Sequence, residues 1–117
     1  MRWVLLFAFL PLLAFADTGT ELQQTCKKPE IGYAYCLGYI TGATQALSAV
    51  SSRPVEKQSP SSSNSLGRFC LPQGVSNVQT MQAVIRYMDE HPEQLRLSAE
   101  TLVAYALQAA YPCSNKQ

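Results

Sequence analysis

The chain has 117 residues, a formal net charge of +1 and four cysteines. This length fits a single domain. Because nine basic residues are balanced by eight acidic ones, the composition argues against nucleic acid as the main partner, which requires a clear excess of Lys and Arg. The sequence has no long run of like charges, which argues against an acidic, solvated tail.

The first sixteen residues are typical of a secretory signal peptide. Arg2 is the positively charged N-terminal region, and residues 3–15 are uncharged and mostly apolar. Ala14 and Ala16 are the small residues that a signal peptidase reads before Asp17. The apolar run is shorter than the ~20 residues that span a bilayer, so it favours a cleaved signal over a membrane anchor. We therefore expect no stable membrane insertion after cleavage, and export to an oxidising compartment.

The exported domain, residues 17–117, contains all four cysteines: Cys26, Cys36, Cys70 and Cys113. An even number of cysteines in an oxidising compartment favours two disulfides. A zinc site is the alternative, but it usually shows C-x2-C pairs, and the lone His91 lies near no cysteine in the sequence.

The first half of the domain predicts two helices. Residues 17–27 are consistent with a short helix that carries Leu22. Residues 29–50 predict a long helix, in which Pro29 suits the first position and Glu30 complements the N-terminus. One face of that helix follows the helical period through Tyr33, Leu37, Ile40, Thr44 and Leu47.

A second stripe of the long helix holds small residues. Gly38 and Gly42 lie four residues apart, with Ala46 and Ala49 further along. Glycine weakens a helix interior, so its placement here predicts that another helix packs closely against this face. Residues 51–68 then break the helical pattern with seven serines and two prolines, which predicts a flexible, solvated loop.

The second half of the domain predicts two more helices. In residues 76–90, Ser76 and Gln79 match a capping box, and one face holds Val78, Met81, Ile85 and Met88. Residues 93–111 contain the last helix, with Ser98 as the candidate N-cap and a buried stripe of Leu102, Val103, Ala106, Leu107 and Ala110. The predicted fold is therefore all-α, a small four-helix domain stapled by disulfides.

The helices select one of the three disulfide pairings. Cys26 and Cys36 meet if the first short helix folds back on the second. Cys70 precedes the third helix and Cys113 follows the fourth, and two antiparallel helices bring the start of one beside the end of the next. We predict Cys26–Cys36 and Cys70–Cys113.

The sequence offers little for catalysis, and we predict a binding protein that is not an enzyme and needs no metal or cofactor. The P-loop and H-E-x-x-H motifs are missing from the sequence. His91 is the only histidine, and it stands near a helix end, beside the acidic residues Asp89, Glu90 and Glu93. A small enzyme that uses His91 as its base is the competing hypothesis.

Three blocks of the sequence resemble the Rap/Tai family, immunity proteins of type VI secretion systems. The residues that carry this resemblance are Cys36-Leu37-Gly38-Tyr39-Ile40-Thr41-Gly42, then Phe69-Cys70-Leu71-Pro72 with Gln79, and finally His91-Pro92-Glu93, Ala106-Leu107 and Tyr111-Pro112-Cys113. The resemblance implies a periplasmic helical protein, often a homodimer, that sterically blocks a peptidoglycan amidase delivered by neighbouring cells.

The resemblance assigns no contact residues to this chain, so candidates come from exposure and polarity alone. Two groups are predicted to bind the partner: Arg53, Glu56 and Lys57 in the long loop, and Glu90, His91 and Glu93 at the helix junction. The alternative function is a periplasmic chaperone or envelope-stress protein without an amidase partner.

Overall fold

The computed structural model describes residues 18–51 and 68–113. In these residues the chain forms α1 (Gly19–Cys26), α2 (Ile31–Ser51), α3 (Asn77–Glu90), a short 3-10 turn (Pro92–Gln94) and α4 (Ala99–Ala110). The described part contains helices and no strand, which confirms the predicted all-α fold. The predicted signal peptide, residues 1–16, and nearly all of the predicted loop 51–68 lie outside the described residues.

The predicted short first helix is confirmed as α1. It begins with a capping box, in which the Thr18 hydroxyl accepts a hydrogen bond from the Glu21 amide at 3.3 Å and the Glu21 carboxylate accepts one from the Thr18 amide at 3.4 Å. Leu22 points into the core and is 2% exposed. This single buried leucine anchors α1 against the rest of the domain.

The start of α2 differs from the prediction. The helix begins at Ile31, and Glu30 has a φ of 57°, in the left-handed region that a helix interior does not use. Pro29 therefore belongs to a tight corner between α1 and α2 and not to the first turn of α2. At this corner a Cβ on Gly32 would lie 2.7 Å from the Thr25 carbonyl oxygen and would also collide with Lys28 Cβ.

The predicted core face of α2 is right except at its first residue. Ile40 and Thr44 are buried, and Leu37 and Leu47 are partly buried against the core. Tyr33 is 45% exposed, because the helix starts two residues later than predicted and its first turn lies at the edge of the domain.

The close packing predicted at Gly38 and Gly42 is not formed by any of the described helices. Both glycines are exposed, and no heavy atom of another described element lies within 4 Å of a Cβ built at either position. The described helices α3 and α4 pack on the opposite side of α2, around Ile40 and Thr44, so neither reaches the glycine side.

The predicted capping box of α3 is confirmed. The Ser76 hydroxyl accepts from the Gln79 amide at 3.1 Å, and the Gln79 side chain accepts from the Ser76 amide at 2.8 Å. The buried face is rotated from the prediction, since Val84 is fully buried and Val78 is 37% exposed. Val78 lies in the first turn, where the helix extends past the core.

The last helix is shorter than predicted. Pro92–Gln94 form the 3-10 turn and α4 begins at Ala99, after the N-cap Ser98, whose hydroxyl accepts from the Thr101 amide at 3.3 Å. The predicted stripe of α4 is buried over Leu102, Val103, Ala106 and Leu107, and it packs at the centre of the core. Ala110 is exposed because it lies in the final turn.

Both predicted disulfides are confirmed. Cys26–Cys36 joins the end of α1 to α2, and Cys70–Cys113 joins the residues before α3 to those after α4. The Cα–Cα distances of 5.0 and 4.9 Å lie in the ordinary range for disulfides. A backbone hydrogen bond of 2.8 Å from Cys70 N–H to the Tyr111 carbonyl supports the second one.

The helix α1 crosses one end of the bundle. Its Gly19 amide donates to the Leu97 carbonyl beside the start of α4, and Gln23 Nε2 donates to Asp89 Oδ1 at the end of α3. The corner after α1 then leads directly into α2. We call this region, which holds the start of α2, the end of α3 and the start of α4, the α1 end. The Cys70–Cys113 disulfide lies at the opposite end of α3 and α4.

Candidate functional site

The carboxylate side chains of the described residues gather at the α1 end. They come from different helices and are exposed: Glu21, Glu30, Asp89, Glu90, Glu93 and Glu100. They outnumber the basic side chains of the same end, which are Lys27, Lys28, Arg86 and Arg96. This end therefore has a small excess of negative charge, which exists only because the fold brings four chain segments together.

The α3–α4 junction places the predicted residues Glu90, His91 and Glu93 side by side. Glu90 ends α3, His91 is its C-cap, and Glu93 lies in the 3-10 turn. We call these three residues the acidic junction. Glu90 and Glu93 are exposed, so both carboxylates face solvent and are accessible to a partner.

His91 has a structural role in the junction. Its ring stacks on Tyr87 with centroids 3.9 Å apart, and Nδ1 lies 2.9 Å from the Tyr87 carbonyl oxygen. The Tyr87 hydroxyl donates to Gln94 Oε1 at 2.7 Å, and the Gln94 amide donates to the His91 carbonyl at 3.0 Å. These contacts tie the acidic junction to the last turns of α3 and to the 3-10 turn.

Asp89 differs from its neighbours because its charge has partners. Lys27 Nζ lies 3.7 Å from Asp89 Oδ1, and Gln23 Nε2 donates to the same oxygen at 2.9 Å. Both ends of the ion pair are about half exposed or more, so the pair stabilises the fold by at most ~1 kcal/mol. Its main effect is to fix α1 on the last turn of α3, beside the acidic junction.

The other predicted contact residues, Arg53, Glu56 and Lys57, lie outside the described residues. Their segment leaves from Ser51 at the end of α2 and returns at Arg68, two residues before Cys70. Their contact with the partner therefore stays a prediction from the sequence.

A second surface, which the sequence analysis missed, is an apolar cleft between α1 and α2. Its volume is about 440 Å³, and it is lined by Glu21, Leu22, Thr25, Lys28, Pro29, Ile31, Gly32 and Tyr35. Ile31 is 84% exposed and Tyr35 is 49% exposed at the side of this cleft. Large apolar side chains that are this exposed commonly mark interaction sites when they are grouped.

The cleft continues into an uncharged surface along α2. We call it the outward face of α2, and it consists of Ile31, Ala34, Tyr35, Gly38, Gly42, Gln45, Ala46 and Ala49, all of them exposed. No Asp, Glu, Lys or Arg occurs anywhere in Ile31–Ser51. A helix that faces water on one side normally carries charged residues there. This missing charge is the signal in the sequence that could have revealed the surface.

The fold and its surfaces define a small, disulfide-stapled helical protein whose exposed features are suited to binding. The described residues hold no group of three or more side chains that could bind a metal ion. The family model of the Rap1a immunity proteins matches residues 18–113. The chain belongs to this family of immunity proteins, which confirms the resemblance found in the sequence.

Comparisons with curated proteins and with solved structures found no match. Among the helices of residues 18–51 and 68–113, none is both long enough and apolar enough to cross a membrane.

Proposed function

We propose that this immunity protein binds a peptidoglycan amidase effector of a type VI secretion system and blocks it sterically in the periplasm. The observation that carries the proposal is the family match over residues 18–113. An immunity protein acts by binding a partner effector. The three blocks of similarity to the Rap/Tai family support an amidase as that effector.

The acidic junction supports a specific binding mode. Glu90 and Glu93 are exposed at the end where the carboxylates of the described residues gather. Exposed carboxylates at a helix end fit a complementary basic surface, and their negative charge accelerates encounter with such a surface. We propose that the acidic junction covers the entrance of the effector cleft, so that the peptide of the cell wall cannot enter.

The loop 51–68 is proposed as a second contact with the effector. Arg53, Glu56 and Lys57 provide both signs of charge within a serine-rich segment. A long polar loop can adapt to the shape of a partner, because little apolar surface is exposed when the loop changes shape.

Export to the periplasm belongs to the same proposal. Two disulfides suit an oxidising compartment, and residues 1–16 have the pattern of a signal peptide. N-terminal sequencing of the protein recovered from the periplasm is expected to begin at Asp17. Recovery of the uncleaved chain from the cytoplasm would contradict this part of the proposal.

The charge of the acidic junction can be tested without changing its shape. The first step is to look for an amidase gene beside this one and to purify its product as the effector to be tested. We expect the double variant Glu90→Gln with Glu93→Gln to bind it at least about tenfold more weakly, mainly through slower association. Gln82→Ala, at an exposed position of α3 away from the junction, serves as the control and should bind normally.

The affinity of the unaltered protein should also fall as salt is added, because exposed charges are screened within about 8 Å at physiological ionic strength. Cells that express the unaltered protein should survive the amidase, and cells that express the double variant should be protected less. Full protection by the double variant would remove the acidic junction from the proposal. Failure to bind any amidase encoded by a neighbouring gene would contradict the proposal that the effector is an amidase.

A chaperone is the alternative function, and the exposed apolar cleft with Ile31 and Tyr35 favours it. A chaperone of the acid-activated kind exposes more apolar surface when the pH falls. Binding of an apolar dye that stays constant between neutral pH and strong acid would eliminate this alternative.

A further inference from the structure

We propose that His91 determines which partner group the acidic junction accepts. Its Nδ1–H donates to the Tyr87 carbonyl oxygen, and its Nε2 accepts a hydrogen bond from a basic side chain of the effector. This inference rests on the proposed function, since it names the group of the partner that the junction binds. The state of the ring is measured on the protein alone, so that part is decided whether or not an amidase binds.

The contact between His91 and the end of α3 fixes the position of the ring proton. Nδ1 lies 2.9 Å from the Tyr87 carbonyl oxygen, and a carbonyl oxygen only accepts hydrogen bonds. Nδ1 must therefore carry the proton. In a neutral imidazole one nitrogen is a donor and the other an acceptor, so Nε2 keeps its lone pair and acts as an acceptor.

The surroundings of the ring hold it in this orientation. The ring stacks on Tyr87 with centroids 3.9 Å apart and planes inclined by 20°. The His91 amide donates to the same carbonyl oxygen at 3.0 Å, so this oxygen accepts two hydrogen bonds from one residue. A residue before proline disfavours the helical conformation, and His91, which precedes Pro92, has a ψ of 62°. The backbone therefore leaves α3 at the residue whose ring folds back onto the helix.

Nε2 is accessible at the surface of the domain. The two ring nitrogens point in divergent directions, so Nε2 is directed away from the Tyr87 carbonyl. It has no hydrogen-bond partner among the described residues. In the same part of the chain, the buried side-chain nitrogen and oxygen atoms without a partner are Thr41 Oγ1, Thr44 Oγ1 and Gln108 Nε2. His91 Nε2 is not one of them, so solvent and a partner can reach it.

The chemistry of the acidic junction selects a basic side chain as the partner group. Glu90 and Glu93 are exposed, and ionised carboxylates only accept hydrogen bonds. Among the described residues, neither of them forms an ion pair. The Tyr87 hydroxyl, which is the nearby donor on α3, already donates to Gln94 Oε1. The junction thus presents acceptors together with negative charge, which fits a positively charged N–H donor.

The carboxylates and the imidazole contribute to binding in different ways. The charges of Glu90 and Glu93 attract a basic group from a distance and mainly raise the association rate. The Nε2 lone pair of His91 acts only at hydrogen-bond distance and in one direction, because the ring is held by Tyr87. It therefore selects a donor that reaches the correct position, and it slows the release of that donor.

The first experiment identifies the protonated ring nitrogen by NMR. His91 is the only histidine of the 117 residues, so in the untagged, isotope-labelled protein each ring nitrogen gives a single signal. In mildly alkaline buffer, in which histidine rings are neutral, Nδ1 should carry the proton and Nε2 should not. A histidine ring without partners holds its proton mainly on Nε2, so the measurement separates the two cases. A proton on Nε2 in most of the molecules would overturn the inference.

The second experiment uses two substitutions that each replace one of the ring nitrogens. His91→Asn places an amide N–H near the position of Nδ1, and His91→Gln places a carbonyl oxygen near the position of Nε2. Both variants lose the stack on Tyr87, so they are compared with each other. His91→Asn should have the higher melting temperature, because its amide can still donate to the Tyr87 carbonyl.

Binding to the effector should follow the opposite order. The probe is the amidase that is purified to test the proposed function. His91→Gln should bind it at least about tenfold more tightly than His91→Asn, because only His91→Gln keeps an acceptor near Nε2. The difference should lie in the dissociation rate. Gln82→Asn shortens a side chain by the same methylene at an exposed position of α3, and as the control it should bind normally.

The opposite orders make the test decisive. A variant that binds weakly only because its fold is disturbed should also melt at the lower temperature. Equal affinities of His91→Asn and His91→Gln, or tighter binding by His91→Asn, would overturn the role of Nε2. If the unaltered protein binds no amidase, the proposed function and the contact with the partner are both wrong. The NMR measurement would then still decide the state of the ring.

Discussion

The ring of His91 lies on the ring of Tyr87 with centroids 3.9 Å apart, and its Nδ1 contacts the Tyr87 carbonyl oxygen at 2.9 Å. This contact lies where α3 ends, beside Glu90 and next to the turn that carries Glu93. His91 is the only histidine and the only candidate base in the sequence. In the structure its ring packs on Tyr87 at the end of α3.

His91→Ala is expected to lower the free energy of unfolding by about 1–2 kcal/mol, because it removes an aromatic stack and a contact to a terminal carbonyl. Urea denaturation checks this value. Tyr87→Phe, which keeps the stack and removes only the hydroxyl that donates to Gln94, should cost less. Equal stability of His91→Ala and the unaltered protein would contradict the role assigned to the stack.

Gly32→Ala and Gly38→Ala form a matched pair with opposite expected signs. At Gly32 a Cβ would lie 2.7 Å from the Thr25 carbonyl oxygen, so the substitution should destabilise the fold by about 1–3 kcal/mol. At Gly38 a Cβ meets open space, so the substitution should stabilise α2 by up to ~1 kcal/mol. Thermal denaturation at low protein concentration measures the change in stability of each variant. A change of the same sign in Gly32→Ala and Gly38→Ala would contradict the close approach at the corner.

The two disulfides should contribute unequally. Cys70–Cys113 spans a sequence separation of 43 and is expected to stabilise the fold by about 4 kcal/mol, by the loop-entropy estimate. Cys26–Cys36 spans only 10 and should contribute about 3 kcal/mol. Replacing each pair by alanine and measuring the melting temperature tests the order. An unchanged melting temperature under reductant would contradict both values.

Glu30 offers a prediction about the backbone. Its φ of 57° costs a residue with a side chain about 1–2 kcal/mol, which glycine avoids. Glu30→Gly should therefore leave the stability equal or raise it by up to ~1 kcal/mol, because the flexibility gained in the unfolded chain offsets part of the relief. Glu100→Gly, within the first turn of α4, should instead lower it. A loss of stability in Glu30→Gly larger than that in Glu100→Gly would contradict this account.

The sequence by itself determined the local features of this protein. Capping residues such as Ser76 and Ser98 marked helix starts, and the spacing of the cysteines along the helices selected both disulfides. Helix caps depend on neighbours within a few residues, and the disulfide pairing depends on the direction of whole helices. Both can be predicted from the sequence.

Only the tertiary structure decided where the surfaces lie. It placed Glu30 at a corner, left Gly38 and Gly42 without a cover from the other described helices, and brought carboxylates from α1, α3 and α4 to one end. The physical reason is that burial depends on which helix packs on which side. A stripe of small residues has the same periodicity whether it faces a neighbouring helix or the solvent, and only the packing of the whole chain distinguishes the two.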